Sequence, residues 1–261
     1  MRAASWLALV GFALAGCGEP GAVAGPALAE APDAHTSATT GFGVVWALPE
    51  CRYARLTMNQ DREAAAQGLP PDYELQGEGV ATLALIVADC PAAVVGNATV
   101  VEPFRYAVLY HLLRPLSDQA NQVDGFVREF VANTPLAVDW LASAGLPAVV
   151  GEVALSAPGE AYGVTVSAPG IDYRASGAPP TQGPSQDASA FAFCYRVAND
   201  TRAVWLQDEV SRTSRSNLPA VVTVRAEAGY LATASPAGLA AARIEESSGA
   251  AVLALHEEIY G

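Results

Sequence analysis

The chain has 261 residues, no lysine, 14 arginines against 27 acidic residues, and a formal charge of −13. An acidic chain is repelled by phosphate backbones and has no basic patch for anionic headgroups, which argues against nucleic acid as a partner. The missing lysine excludes chemistry that needs a lysine amine: Schiff-base catalysis, pyridoxal-phosphate attachment and the Walker phosphate loop.

The first element is a leader. Met1-Arg2 is a short positive start, and the uncharged apolar run from Ala3 to Ala15 follows it. That run suits a signal-peptide core and is too short to span a bilayer, which takes roughly 20 apolar residues. Leu14-Ala15-Gly16-Cys17 closes it and resembles the lipobox of bacterial lipoproteins. Residues 1–16 are therefore expected to be a signal peptide, and Cys17 to carry acyl chains such as palmitate. Each buried CH₂ adds about 0.8 kcal/mol, and two or three chains together hold stably. Gly18 after the cysteine favours an outer-membrane address in the bacterial cell envelope. Residues 17–41 read as a lipidated tether: Pro20, Pro26 and Pro32 lie among Ala, Gly, Ser and Thr, with almost no bulky apolar residue to offset ordering entropy. Without Arg2 the mature chain holds 13 arginines against 27 acids, a formal −14.

Residues 42–261 are long enough for one globular domain with a substantial core. Phe42 to Leu48 predicts a strand stopped by Pro49. Asn59 to Gln67 predicts a short helix capped by Asn59 and ended by Gly68. Gly79 to Cys90 is a near-continuous apolar run, predicting a strand buried on both faces, and Tyr106 to Leu113 is another. Thr134-Pro135 opens a helix with proline at its first position and Gly145 beyond its end. Strands are predicted at Val153–Ser156 and Tyr162–Ser167 around the turn Ala157-Pro158-Gly159. After a Pro/Gly/Ser loop from Gly177 to Gln186, further strands are predicted at Phe191–Val197, Arg202–Leu206, Ala220–Ala226, Tyr230–Ala234 and Ala250–His256. The fold class is β-dominated, all-β or α+β: a single barrel-like or sandwich-like domain with two or three short helices.

Four cysteines stand at 17, 51, 90 and 194. With Cys17 lipidated, Cys51 and Cys90 are the favoured disulfide, since each ends an apolar strand, and Cys194 is a strand thiol. Standard nucleophile, zinc and dinucleotide motifs are absent from the sequence. His35 lies in the tether, and His111 reads foremost as a hydrogen-bonded core or rim residue. His256 precedes Glu257 and Glu258, but strand neighbours point to opposite faces, so no metal site is expected there. Asp61, Glu63, Glu245 and Glu246 read as solvated helix or turn charges. No cofactor is expected.

The order of elements carries a resemblance. A short helix ends in Gly68-Leu69-Pro70. Later come Pro103-Phe104-Arg105-Tyr106-Ala107-Val108-Leu109, a helix, Gly145-Leu146-Pro147 and a run of strands. This resembles the acetoacetate decarboxylase family, with its Pro-Tyr-x-Glu-Ala strand and Gly-Phe-Pro-Lys turn. The resemblance implies a barrel-like fold around an apolar pocket and a Schiff-base lysine. Here that place is held by Ala148, and the family's pocket glutamate by Tyr106. Arg55 corresponds to the pocket arginine. The implied pocket comprises Arg55, Phe104, Tyr106, His111 and Ala148. The leading expectation is a lipid-anchored, non-catalytic domain that binds a small apolar or carboxylate ligand. The alternatives are an interaction lipoprotein without a ligand, and an enzyme with reassigned acid–base chemistry on a carbonyl compound.

Overall fold

The computed structural model describes residues 43–71, 73–96, 99–114, 122–156, 162–177, 190–199, 202–215, 220–240 and 242–259. The expected leader, Cys17, the expected tether with His35, the turn at residues 157–159 and most of the Pro/Gly/Ser loop lie outside the described residues, as do the side chains of Cys194 and His256. In chain order the elements are β1 (Val45–Asp61), α1 (Arg62–Ala66), β2 (Val80–Cys90), β3 (Ala93–Val95), β4 (Thr99–Val101), β5 (Phe104–Leu112), β6 (Gln122–Ala132), α2 (Pro135–Ser143), β7 (Ala148–Val150), β8 (Glu152–Leu155), β9 (Tyr162–Ala168), β10 (Ile171–Gly177), β11 (Ala190–Asn199), β12 (Arg202–Arg215), β13 (Ala220–Ala228), a 3-10 turn (Tyr230–Thr233), α3 (Pro236–Ala240) and β14 (Arg243–Ile259).

Strands β1, β2, β5, β6, β11, β12 and β14 pair in that order, and β14 pairs back onto β1. Seven strands thus close a barrel, which removes the free edges an open sheet would leave. The pairing between β6 and β11 is parallel and the other ring contacts are antiparallel. Strands β13, β10, β9 and β8 form an antiparallel sheet that joins the ring where Ala220 and Val221 pair with Ile244 and Arg243. Beyond Phe130, β6 pairs with β7 in parallel.

The two largest cores among the described residues follow from this arrangement. One ring face packs Leu56, Leu85, Val87 and Leu109 against Val164, Val166, Ile171 and Val224 of the four-stranded sheet. A whole sheet cannot fit inside a seven-stranded ring, so this face is the outer one. The other face therefore lines the interior, where Trp46, Tyr53, Ile86, Tyr106, Val108 and Phe130 cluster with Trp140 and Leu141 of α2. Covered on both sides, β2 and β5 are almost continuously buried, which is why they read as unbroken apolar runs.

Several sequence expectations change. Pro49 does not end the first strand. The β1–β14 register shifts between Leu48 and Cys51. A bulge there takes Pro49, whose missing N–H is no loss outside the ladder. Asn59 and Gln60 belong to β1, and Asp61 caps α1, its Oδ1 accepting from Ala64 N at 3.0 Å. Residues 230–233 form a 3-10 turn in place of a strand. Glu245 and Glu246 lie half-buried on β14, not on a helix or turn. β6 and β10 had no counterpart in the sequence reading. The helix over 135–143 stands as read, with Pro135 in its first turn and Gly145 at φ +81° just past its end.

Candidate functional site

On β1, Tyr53 belongs to the inner core, while Ala54 and Leu56 belong to the outer one. Alternation therefore puts Arg55 on the inner face. Successive cross-strand partners carry its row around the wall: Glu245, Arg55, Ile86, Val108, Phe130 and Ala148. Ala148 packs against the inner core and its neighbour Val149 against the outer one. Four pairings separate Arg55 from Ala148, the last of them between β6 and β7, a strand that branches from the ring. Both residues therefore belong to the inner face, at the two ends of one run of cross-strand partners. Ser247, opposite Tyr53, lies on the row above.

Phe104 and Tyr106 are fully buried on the same inner face. Their rings form a continuous chain of contacts. Trp46 and Trp140 lie 5.6 Å apart, Trp46 and Phe104 5.0 Å, Phe104 and Tyr106 5.5 Å, and Tyr106 stacks on Phe130 at 5.6 Å. The interior thus presents an aromatic wall leading to Phe130, beside Ala148, with Arg55 and Glu245 on the same inner row.

His111 is elsewhere. It follows the inner-facing Tyr110 and points outward, opposite Leu83 on β2. It is fully buried. Arg128 Nε donates to its Nδ1 at 3.0 Å, so the ring proton sits on Nε2 and is donated to Gln60 Oε1 at 2.7 Å. Burial, and secondarily the adjacent Arg128 charge, push the imidazole pKa down to about 3. The neutral ring is what this geometry requires. Arg128 also donates to the carbonyls of Gln67 at 2.9 Å and Ala65 at 2.5 Å, holding the end of α1. Its guanidinium lies over Phe126 at 4.7 Å and over Tyr230 at 4.8 Å. Next to it, Glu129 accepts from Tyr230 N at 2.7 Å and from the Tyr173 hydroxyl. Burial raises the Glu129 pKa from its ordinary value, and burial raises that of Tyr173 as well. This cluster clamps α1 and the 3-10 turn to the barrel, with His111, Arg128 and the Tyr173 hydroxyl all donating within the protein.

The structure brings Arg55, Phe104, Tyr106 and Ala148 to one interior and separates His111 from them by the thickness of the sheet. Cys51 and Cys90, at neighbouring positions of β1 and β2, are joined by a disulfide with Cα atoms 4.2 Å apart. Sequence reasoning missed Trp46, Phe130 and Glu245 inside, and Gln60, Arg128, Glu129, Tyr173 and Tyr230 outside. One signal was present: counting by two from Tyr106 along its strand excludes His111 from the same face. Among the described residues no group of three or more His, Cys, Asp or Glu side chains could hold a metal ion.

No family model and no curated protein matches the chain. Solved structures do resemble it. MppR, an enzyme of enduracididine biosynthesis complexed with pyruvate, superposes with a TM-score of 0.58 at 13% identity, over 90% of this chain and 98% of that one. An acetoacetate decarboxylase gives 0.56 at 9% identity, over 82% and 88%. An acetoacetate decarboxylase-like enzyme from Sphingomonas wittichii RW1 gives 0.53 at 11%, over 91% and 100%. At such identities the likeness is one of architecture, and on that ground the domain is a β-rich α+β protein with the acetoacetate decarboxylase-like fold.

Proposed function

We propose that this chain is a lipid-anchored envelope protein whose barrel interior takes up a small ligand without Schiff-base decarboxylation. One observation carries the reading. The inner-face position that the resemblance assigns to the nucleophilic lysine is Ala148, and no lysine stands anywhere else to replace it. A methyl group cannot attack a carbonyl, so the covalent step has no nucleophile of that kind. What remains inside suits binding: an aromatic wall of Trp46, Phe104, Tyr106 and Phe130, and Arg55 on the same inner face as Ala148. A guanidinium among apolar walls favours an acidic or carbonyl-bearing guest with an apolar body.

The anchor half rests on Leu14-Ala15-Gly16-Cys17 and on the structure-poor composition of residues 18–41. His111 is not part of this site, which weakens the alternative of acid–base chemistry centred on it. The experiment is the intact mass of the full chain in detergent, native and then denatured. A discrete small-molecule increment lost on denaturation is expected. Ala148→Trp, which adds a bulky side chain on the inner face, is expected to abolish that increment. Equal native and denatured masses for the wild type, or an undiminished increment in the variant, reject the pocket.

A further inference from the structure

Trp46 carries a chemical feature of the interior wall that packing does not explain. It is fully buried, with Phe104 at 5.0 Å and Trp140 at 5.6 Å between ring centroids. Its indole N–H is buried too and has no hydrogen-bond partner among the described residues. A buried donor left unpaired forfeits its hydration without return, and folded proteins keep few of them. The same packing is available to a ring without a donor, such as Phe at this position. Trp46 therefore retains an unpaired donor on the inner face, beside Trp140 of α2.

We infer that Trp46 is a specificity residue: its indole N–H donates to a carbonyl or carboxylate oxygen of a ligand whose planar apolar body lies along the aromatic wall. The inference rests on the interior being the binding site and names the chemistry of one end of the guest. The wall runs from Trp46 through Phe104 and Tyr106 to Phe130, the cross-strand partner of Ala148. Flat unsaturated groups gain from such surfaces by offset stacking. A fixed donor beside Trp140 discriminates a guest that carries an oxygen from one that does not, because the latter leaves the N–H unpaired. Arg55 lies on the row beside Ile86 and Val108, several ladder steps from Trp46, so the two donors address different parts of the guest.

Two probes of nearly equal shape test this on the full chain in detergent: acetophenone, which has the oxygen, and isopropylbenzene, which does not. The wild type is expected to bind acetophenone about tenfold more tightly. Trp46→Phe is expected to hold both with similar affinity. Replacement of Trp46 by β-(3-benzothienyl)alanine keeps the two-ring shape without the N–H, so it reads the same loss if the phenylalanine variant folds poorly. Preference for acetophenone retained in both substitutions overturns the role of Trp46 while leaving the interior site standing. Failure of the wild type to bind either probe overturns the interior site and this inference with it.

Discussion

His111 shows how a single side chain can look functional and act as a clamp. Its Nδ1 accepts from Arg128, which demands the neutral ring, and its Nε2–H donates to Gln60. The imidazole pKa lies near 3 in the folded chain, against an ordinary value of 6.5. Between those limits the unfolded chain binds more protons at this residue, so its contribution to stability is complete above about pH 6.5 and is lost as the pH falls towards 3. The slope it can add is on the order of 1.4 kcal/mol per pH unit. Glu129 and Glu246, whose carboxyl pKa values are raised by burial, act in the opposite sense above their ordinary range. The difference between wild type and His111→Gln isolates the histidine. Urea midpoints from pH 7 to 4 are expected to fall more steeply for the wild type than for the variant. Parallel slopes would show that the ring does not titrate as its contacts require. Beside it, Gly229 sits at φ +91°, where a Cβ would meet the Tyr173 hydroxyl, so only glycine lets the chain turn into the 3-10 segment.

At the scale of elements, two irregularities decide which side chains go inside. The bulge near Pro49 switches β1 from inner-facing Trp46 and Leu48 to inner-facing Cys51 and Tyr53. The register shift between β5 and β6 leaves Arg128 between Val127 and Glu129, the residues that pair with Tyr110 and Leu109. The inner face then passes from Val127 to Phe130 in place of a strict alternation. The Cys51–Cys90 disulfide fastens β1 to β2 just past the first bulge, across 39 residues of sequence. Loop closure over that separation is worth about 4 kcal/mol in the chain-entropy model. Replacing both cysteines by alanine is expected to lower unfolding free energy by about 2–4 kcal/mol, read from urea denaturation. No change on replacement would mean that the bond is absent from the native protein or that its strain cancels its benefit. Apolar runs made β2 and β5 readable, and Pro135 with Gly145 made α2 readable. β6, with Asp124, Gly125, Arg128 and Glu129 interrupting its apolar residues, carries no clear period of two, because its bulge breaks the alternation.

At the scale of the whole molecule, the chain would combine a lipid address with a lysine-free barrel. If Cys17 is the acylated residue, Cys17→Ser is expected to leave the protein out of the membrane fraction while the domain keeps its fold. Fractionation with metabolic palmitate labelling checks this. Membrane retention of an unlabelled Cys17→Ser chain would place the anchor elsewhere. The barrel architecture was accessible from the order of short motifs, since helix, Leu-Pro step and strand recur in the expected sequence. The division of the candidate residues was not. Arg55, Phe104, Tyr106 and Ala148 share the interior only because β14 returns to pair with β1 and closes the ring. His111 is excluded by the same closed wall.

By itself, the sequence determined what the chain cannot do and the local periods of its elements. A chain without lysine forms no lysine Schiff base in any fold, and a proline-led apolar helix needs no distant partner to be recognised. Only the tertiary structure decided which face is inside, which residues share that face, and which polar groups are already spent on one another. Those outcomes depend on bulges and on pairing between strands almost two hundred residues apart, as in Arg55 and Glu245. A bulge changes facing by one residue, and the register that demands it is set by the partner strand, which local sequence does not encode.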